Sequence, residues 1–211
     1  MAECEELVES GAEAMPRVVA ALAGILERVA ERNDAPAAEL SVAPASAFRA
    51  TTRPSISVRA YMARIARFAG CSPVCYVVAY VYLDRFLSRG RRLSFAVDSY
   101  SVHRLLITAV LAAVKFMDDI CYNNAYFAKV GGISLVEMNY LEVDFLFGVG
   151  FDLNVTPETF GDYCTVLHSE LLFAEAPPVP PTPRLQYCCM SDDDAAAGAS
   201  CSSLHEEQAC M

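Results

Sequence analysis

The sequence predicts an all-α fold: a globule of five or so helices around a buried central helix, preceded by an extra amphipathic helix and followed by a disordered tail. Three observations carry this. Apolar residues recur at three- and four-residue steps through much of residues 15–173, the spacing that gathers them on one helix face. Two segments, Val74 to Leu83 and Leu105 to Val114, are apolar almost all round over ten residues each, as helices buried between others are. Runs of β-branched residues in period-two alternation, which strands would need, are absent.

The first helix is expected from Met15 to Val29, its stripe being Met15, Val18, Val19, Leu22, Ile25, Leu26 and Val29, with Asn33-Asp34 ending it. Residues 33–54 carry Pro36, Pro44 and Pro54 without helical period and read as an extended strap pinned by Phe48. Ser55 or Ser57 can cap the next helix, which runs to about Ala69 on a stripe of Val58, Tyr61, Met62, Ile65 and Phe68. Ser72-Pro73 opens a third, ending near Ser88–Gly90: serine accepts from orphan backbone donors and proline suits the first turn. The apolar segment from Val102 to Met117 forms the next. A short helix near Asn124 closes at Gly131-Gly132. Ser134-Leu135-Val136-Glu137 is a capping box opening a helix to about Phe147, and Thr156-Pro157 opens the last, to about Phe173.

With 211 residues, 55% of them hydrophobic, the chain can bury a sizeable core. Its formal charge is −10, from 16 basic and 26 acidic side chains. Residues 55–173 hold ten basic and eleven acidic groups, residues 1–54 five and nine, and the segment from Ala174 one and six. The middle is the packed domain and the flanks are solvated. Pro177, Pro178, Pro180, Pro181, Pro183 and Asp192-Asp193-Asp194 mark residues 174–211 as unable to bury enough surface to fold. Thr182-Pro183 there is a minimal proline-directed phosphorylation site. With a net charge of −10 the chain is not a basic binder of phosphates, which needs an excess of clustered Lys and Arg, so no nucleic acid is expected as partner. No apolar run approaches the roughly 20 residues of a membrane span, so no membrane is expected either.

Met1-Ala2-Glu3-Cys4-Glu5-Glu6 lacks the basic-then-apolar pattern of a signal peptide. The nine cysteines are odd in number and include no Cys-x2-Cys pair. They read as reduced thiols of an intracellular protein, in nucleus or cytoplasm.

The chain uses 14 arginines and only two lysines, Lys115 and Lys129. A lysine ending a nearly all-apolar helix therefore stands out. Lys115 can simply snorkel to solvent beside Asp118 and the helix C-terminal dipole, with Glu142 an ordinary exposed residue. Both can also serve recognition, but residue chemistry alone favours the ordinary surface reading.

Val81-Tyr82-Leu83-Asp84-Arg85-Phe86-Leu87-Ser88 closely resembles the second-helix signature of cyclins. Leu111-Ala112-Ala113-Val114-Lys115-Phe116 resembles the third-helix end that carries the cyclin lysine. Leu141-Glu142, Phe151-Asp152-Leu153 and Thr156-Pro157 resemble the fifth-helix signature with its glutamate. The order and spacing match over residues 55–172, one five-helix cyclin box, with no room for a second after Phe173. The helix before the box is most similar to plant P-type (U-type) cyclins, which in turn resemble the fungal phosphate-pathway cyclin.

That resemblance implies a regulatory subunit that binds and activates a cyclin-dependent protein kinase as a heterodimer, in cell-cycle or phosphate signalling. It implies no catalytic residue, cofactor or metal. Lys115 and Glu142 would hydrogen-bond backbone groups of the kinase, an ammonium donating to carbonyls and a carboxylate accepting from N–H groups. Phe116, Leu146, Phe151 and Leu153 would add apolar contact. Asp84 and Arg85 would support the fold as a largely buried charged pair. Val58-Arg59-Ala60-Tyr61-Met62 aligns with the substrate-docking patch of cell-cycle cyclins, but only Arg59 and Ala60 match, and Arg64-Ile65 replaces the Asp-Trp that follows it. Ala2 replaces the leucine anchor of the pocket-protein motif. The basic turn of Arg89, Arg91 and Arg92 is either a solvated loop or, with Arg59, a contact for a phosphorylated or acidic substrate segment.

Rival chemistries are poorly supported. Asp118-Asp119 lacks the third aspartate of a metal-diphosphate site, Tyr122 standing in its place. Cys164 and His168 share a helix face but are too few for a closed metal site. His103, at a helix start, suits a core or capping role. A cyclin-fold adaptor of transcription type, without kinase activation, is the alternative within the fold.

Overall fold

The computed structural model describes residues 17–37, 46–90, 96–119 and 122–175. Among the described residues there are seven helices and no strand: α1 (Arg17–Ala37), α2 (Val58–Ala69), α3 (Pro73–Gly90), α4 (Val102–Met117), α5 (Asn124–Gly131), α6 (Leu135–Gly148) and α7 (Pro157–Glu175). None of them is long and apolar enough to cross a membrane. The expectations for residues 1–14, Met15, the strap over residues 38–45 with Pro44, Arg91, Arg92, Cys121, Thr182 and the tail fall outside the described residues.

Helix α4 is the central element. Every residue from Leu105 to Val114 is buried, and α2, α3, α5 and α6 pack around it. The buried hydroxyl of Thr108 donates to the Arg104 carbonyl at 2.7 Å, so this helix can lie in the core without an orphaned donor. Helix α3 is its partner and is flanked in turn by α1, α6 and α7.

Helix ends follow the local chemistry. The Ser57, Asn123 and Ser134 side chains accept from the backbone N–H three residues on, opening α2, α5 and α6. The Glu137 carboxylate, expected to complete a capping box, is taken by Arg104 of α4 instead. Gly70 and Gly132 end α2 and α5 at φ 61° and 72°.

Two further expected features differ. Helix α1 continues through Asn33-Asp34 to Ala37. Those side chains do not turn back on their own backbone. Asn33 Nδ2 donates to the Val97 carbonyl at 2.7 Å, and the Asp34 carboxylate accepts from Ser99 N and Oγ. Tertiary partners thus replace the local contacts that would stop the helix. Phe68, expected in the α2 stripe, is 46% exposed with Arg67 over its ring, while Ala69 is buried in its stead.

The strap is pinned as expected. Phe48 is fully buried, edge-on to Phe86 and Phe145. Gly148 makes this cluster possible: a Cβ there would fall 2.2 Å from a ring carbon of Phe86. Cys71, Cys75 and Cys164 are thiols in no disulfide.

Candidate protein-binding face

The last turn of α4 and the middle of α6 bring Lys115 and Glu142 together. Lys115 Nζ donates to Glu142 Oε1 at 2.6 Å across 27 positions of sequence. The other carboxylate oxygen, Oε2, accepts from Asn124 Nδ2 of α5 at 2.6 Å. Side-chain exposure is 37% for Lys115 and 15% for Glu142, so the pair lies at the surface with its anion held from both sides. Two ammonium protons and a lone pair on each carboxylate oxygen remain to meet another molecule.

The two helices that carry this pair also expose apolar side chains. Phe116 and Met117 follow Lys115 and are half exposed. On α6, Val143 and Phe147 are exposed one turn apart, next to Glu142 and Leu146. Phe147 meets Phe151 edge-on, ring centroids 5.1 Å apart. Phe151 has φ 55°, in the left-handed region that a β-carbon disfavours by about 1–2 kcal/mol. Gly150 before it, at φ 64°, makes the turn, and Phe151 N donates to the Leu146 carbonyl at 2.9 Å. The fold thus holds an aromatic ring 57% exposed on a strained backbone.

The expected apolar contacts divide accordingly. Phe116 and Phe151 are on the surface and Leu146 is half-buried. Leu153 packs against the core, and its carbonyl accepts from Tyr82 at 2.6 Å, so it supports the site from beneath. Asp84 and Arg85 are not a largely buried pair. Asp84 is exposed and accepts from the Tyr163 hydroxyl of α7 at 2.7 Å. Arg85 donates to the Asp152 carbonyl at 2.7 Å. Each ties α3 to a different later segment.

Of the arginines considered for substrate contact, the two among the described residues, Arg59 and Arg89, are bound into the fold. Arg59 Nε pairs with Glu27 of α1 at 2.8 Å, and Arg89 with Asp152 at 3.4 Å. Val58, Tyr61 and Met62 are buried, with α1 packed on α2. His103 is buried, its Nε2–H donating to the Ile56 carbonyl at 2.9 Å, and burial holds its pKa below the usual imidazole value. Cys71 has a lowered thiol pKa through its hydrogen bond with Cys75, whose own is raised. Among the described residues no three His, Cys, Asp or Glu side chains converge as a metal set.

Sequence reasoning missed Asn124, Met117, Val143 and Phe147. One signal was present: α6 carries apolar residues on more than one face, and while Met138, Leu141 and Phe145 are buried, Val136, Tyr140, Val143 and Phe147 are exposed. An apolar helix packed on one side leaves a greasy face for something else.

Comparison with known proteins gives the family. The sequence model described as Cyclin matches residues 16–153, which include α1. Cyclin-P4-1 of Oryza sativa subsp. japonica is 65% identical over 189 residues, 88% of each chain. Cyclin-U4-2 of Arabidopsis thaliana is 54% identical over 167 residues, 78% of this chain and 76% of the relative. Cyclin-U4-1 of Arabidopsis thaliana is 48% identical over 184 residues, 87% and 90% of the two chains.

Proposed function

The chain belongs to the cyclin family, among the plant P-type (U-type) cyclins, and on that premise we propose that it binds and activates a cyclin-dependent protein kinase. Cyclins are regulatory proteins, not enzymes. What has to be explained is therefore recognition and a shift between two states of a partner.

The observation that supports this reading most is the Lys115–Glu142 pair, joined at 2.6 Å between helices that also expose Phe116, Val143 and Phe147. Durable interfaces combine a desolvated apolar centre with a few charged hydrogen-bonding groups. Lys115 donates to kinase carbonyls and Glu142 accepts from kinase N–H groups at the start of the regulatory helix. The helical wedge then favours the inward position of that helix, in which the kinase's Lys–Glu ion pair forms and the activation segment is ordered. Activation follows because this cyclin binds the active arrangement more tightly than the inactive one. We place this action in cell-cycle or phosphate signalling, in the nucleus or cytoplasm.

Reconstitution tests it. The full-length chain, mixed with candidate cyclin-dependent kinases, should capture at least one and raise its phosphotransfer rate. Capture without any rise in rate would favour the adaptor alternative.

A further inference from the structure

Asn124 opens α5 directly after its cap, Asn123. Its Nδ2 donates to Glu142 Oε2 at 2.6 Å and to Asn139 Oδ1 at 2.8 Å. Its own Oδ1 is buried and has no hydrogen-bond partner. The amide orientation is dictated by Glu142: a carboxylate only accepts, so the reverse orientation would set oxygen against oxygen. Leaving a buried carbonyl orphaned costs stability. What the molecule gains in return is a Glu142 whose second oxygen is fixed independently of Lys115.

That independence matters in a complex. Lys115 is the more exposed partner, on a long flexible stem. If it turns its protons to another molecule's carbonyls, its grip on Oε1 weakens and only Asn124 still holds the carboxylate. Asn139, one turn before Glu142 on α6, holds Asn124 in its turn. Resting on the kinase-binding reading above, we propose that Asn124 is a positioning residue of that interface: it keeps Glu142 aimed as an acceptor when Lys115 engages the partner.

The test uses the full-length chain and a recombinant cyclin-dependent kinase that the unsubstituted chain captures, with affinity read by calorimetry. Asn124→Ala should weaken binding about tenfold. In a Glu142→Ala background the same change should cost less than about twofold, since nothing remains to be positioned. Asn124→Asp, an acid favoured in a first helical turn and so compatible with folding, should weaken binding further. Glu142→Gln should recover part of that loss, because an amide can donate where a carboxylate cannot. Circular dichroism checks the fold of each variant. Unchanged affinity in Asn124→Ala beside a loss in Glu142→Ala overturns this inference alone. So does a loss that persists in full in the Glu142→Ala background, which would mean that Asn124 acts only through α5. Unchanged affinity in both single variants overturns the inference together with the reading it rests on.

Discussion

The rings of Phe86 and Phe145 lie stacked, centroids 5.1 Å apart and planes 9° apart, and Phe48 of the strap closes edge-on against both. The strap is thus wedged between α3 and α6, the helix that carries Glu142. Removing the wedge leaves a cavity too enclosed to collapse well. Phe48→Ala should cost about 3–5 kcal/mol of stability, read from urea or thermal unfolding.

Gly148 and Gly161 make a matched pair. Both lie in helices, but a Cβ at Gly148 would meet the Phe86 ring at 2.2 Å, whereas one at Gly161 meets nothing within 4 Å. Gly148→Ala should therefore destabilise by about 1–3 kcal/mol through overpacking. Gly161→Ala should stabilise by roughly 0.5–1 kcal/mol through helix propensity. Unfolding midpoints of the two variants, moving in opposite directions, check this.

Much of this fold was legible because few alternatives suited the pattern. The ten-residue apolar segment from Leu105 to Val114, flanked by Arg104 and Lys115, has to be buried, and it is. Lys115 and Glu142 were legible through the motifs around them, since residue chemistry alone left each with an ordinary surface explanation. What stayed hidden depended on partners distant in sequence. Asn33 and Asp34 carry a helix-stop signature, and only Val97 and Ser99, more than 60 positions on, convert them into tertiary anchors. Arg85 and Asp84 sit side by side in the motif and look like mates, but each bonds elsewhere. Asn124 follows another asparagine at a helix start, where capping is reason enough for both.

His103 gives the fold a pH dependence. Burial is the main cause of its depressed pKa. The nearby Arg53 guanidinium adds to the effect, and the hydrogen bond to Ile56 opposes it. Glu27 and Glu31 line the same cavity. The folded state disfavours the imidazolium, so the unfolded chain takes up the proton first. Its contribution to stability is complete above the ordinary imidazole value of 6.5 and is lost as pH falls below it. Urea midpoints should drop between pH 7.5 and pH 5.5, roughly, and His103→Gln should flatten the slope over that range.

Phe151 separates stability from binding. Its left-handed backbone favours glycine, while its ring is more than half exposed. In Phe151→Gly the relief of strain should offset the lost contact with Phe147, leaving stability within about 1 kcal/mol of the parent. Kinase affinity should nevertheless fall, by roughly 1–2 kcal/mol, as an aromatic anchor is lost. Thermal melting and calorimetry on the same preparation read both quantities.

In the proposed function Lys115 and Glu142 together hold the kinase. The decisive measurement is the affinity of Lys115→Ala, Glu142→Ala and the double variant for a captured cyclin-dependent kinase, each variant checked for helical content. Each single substitution should weaken binding by about 2–4 kcal/mol with the fold intact, and the double should cost less than their sum. A folded double variant that binds as tightly as the parent would contradict it.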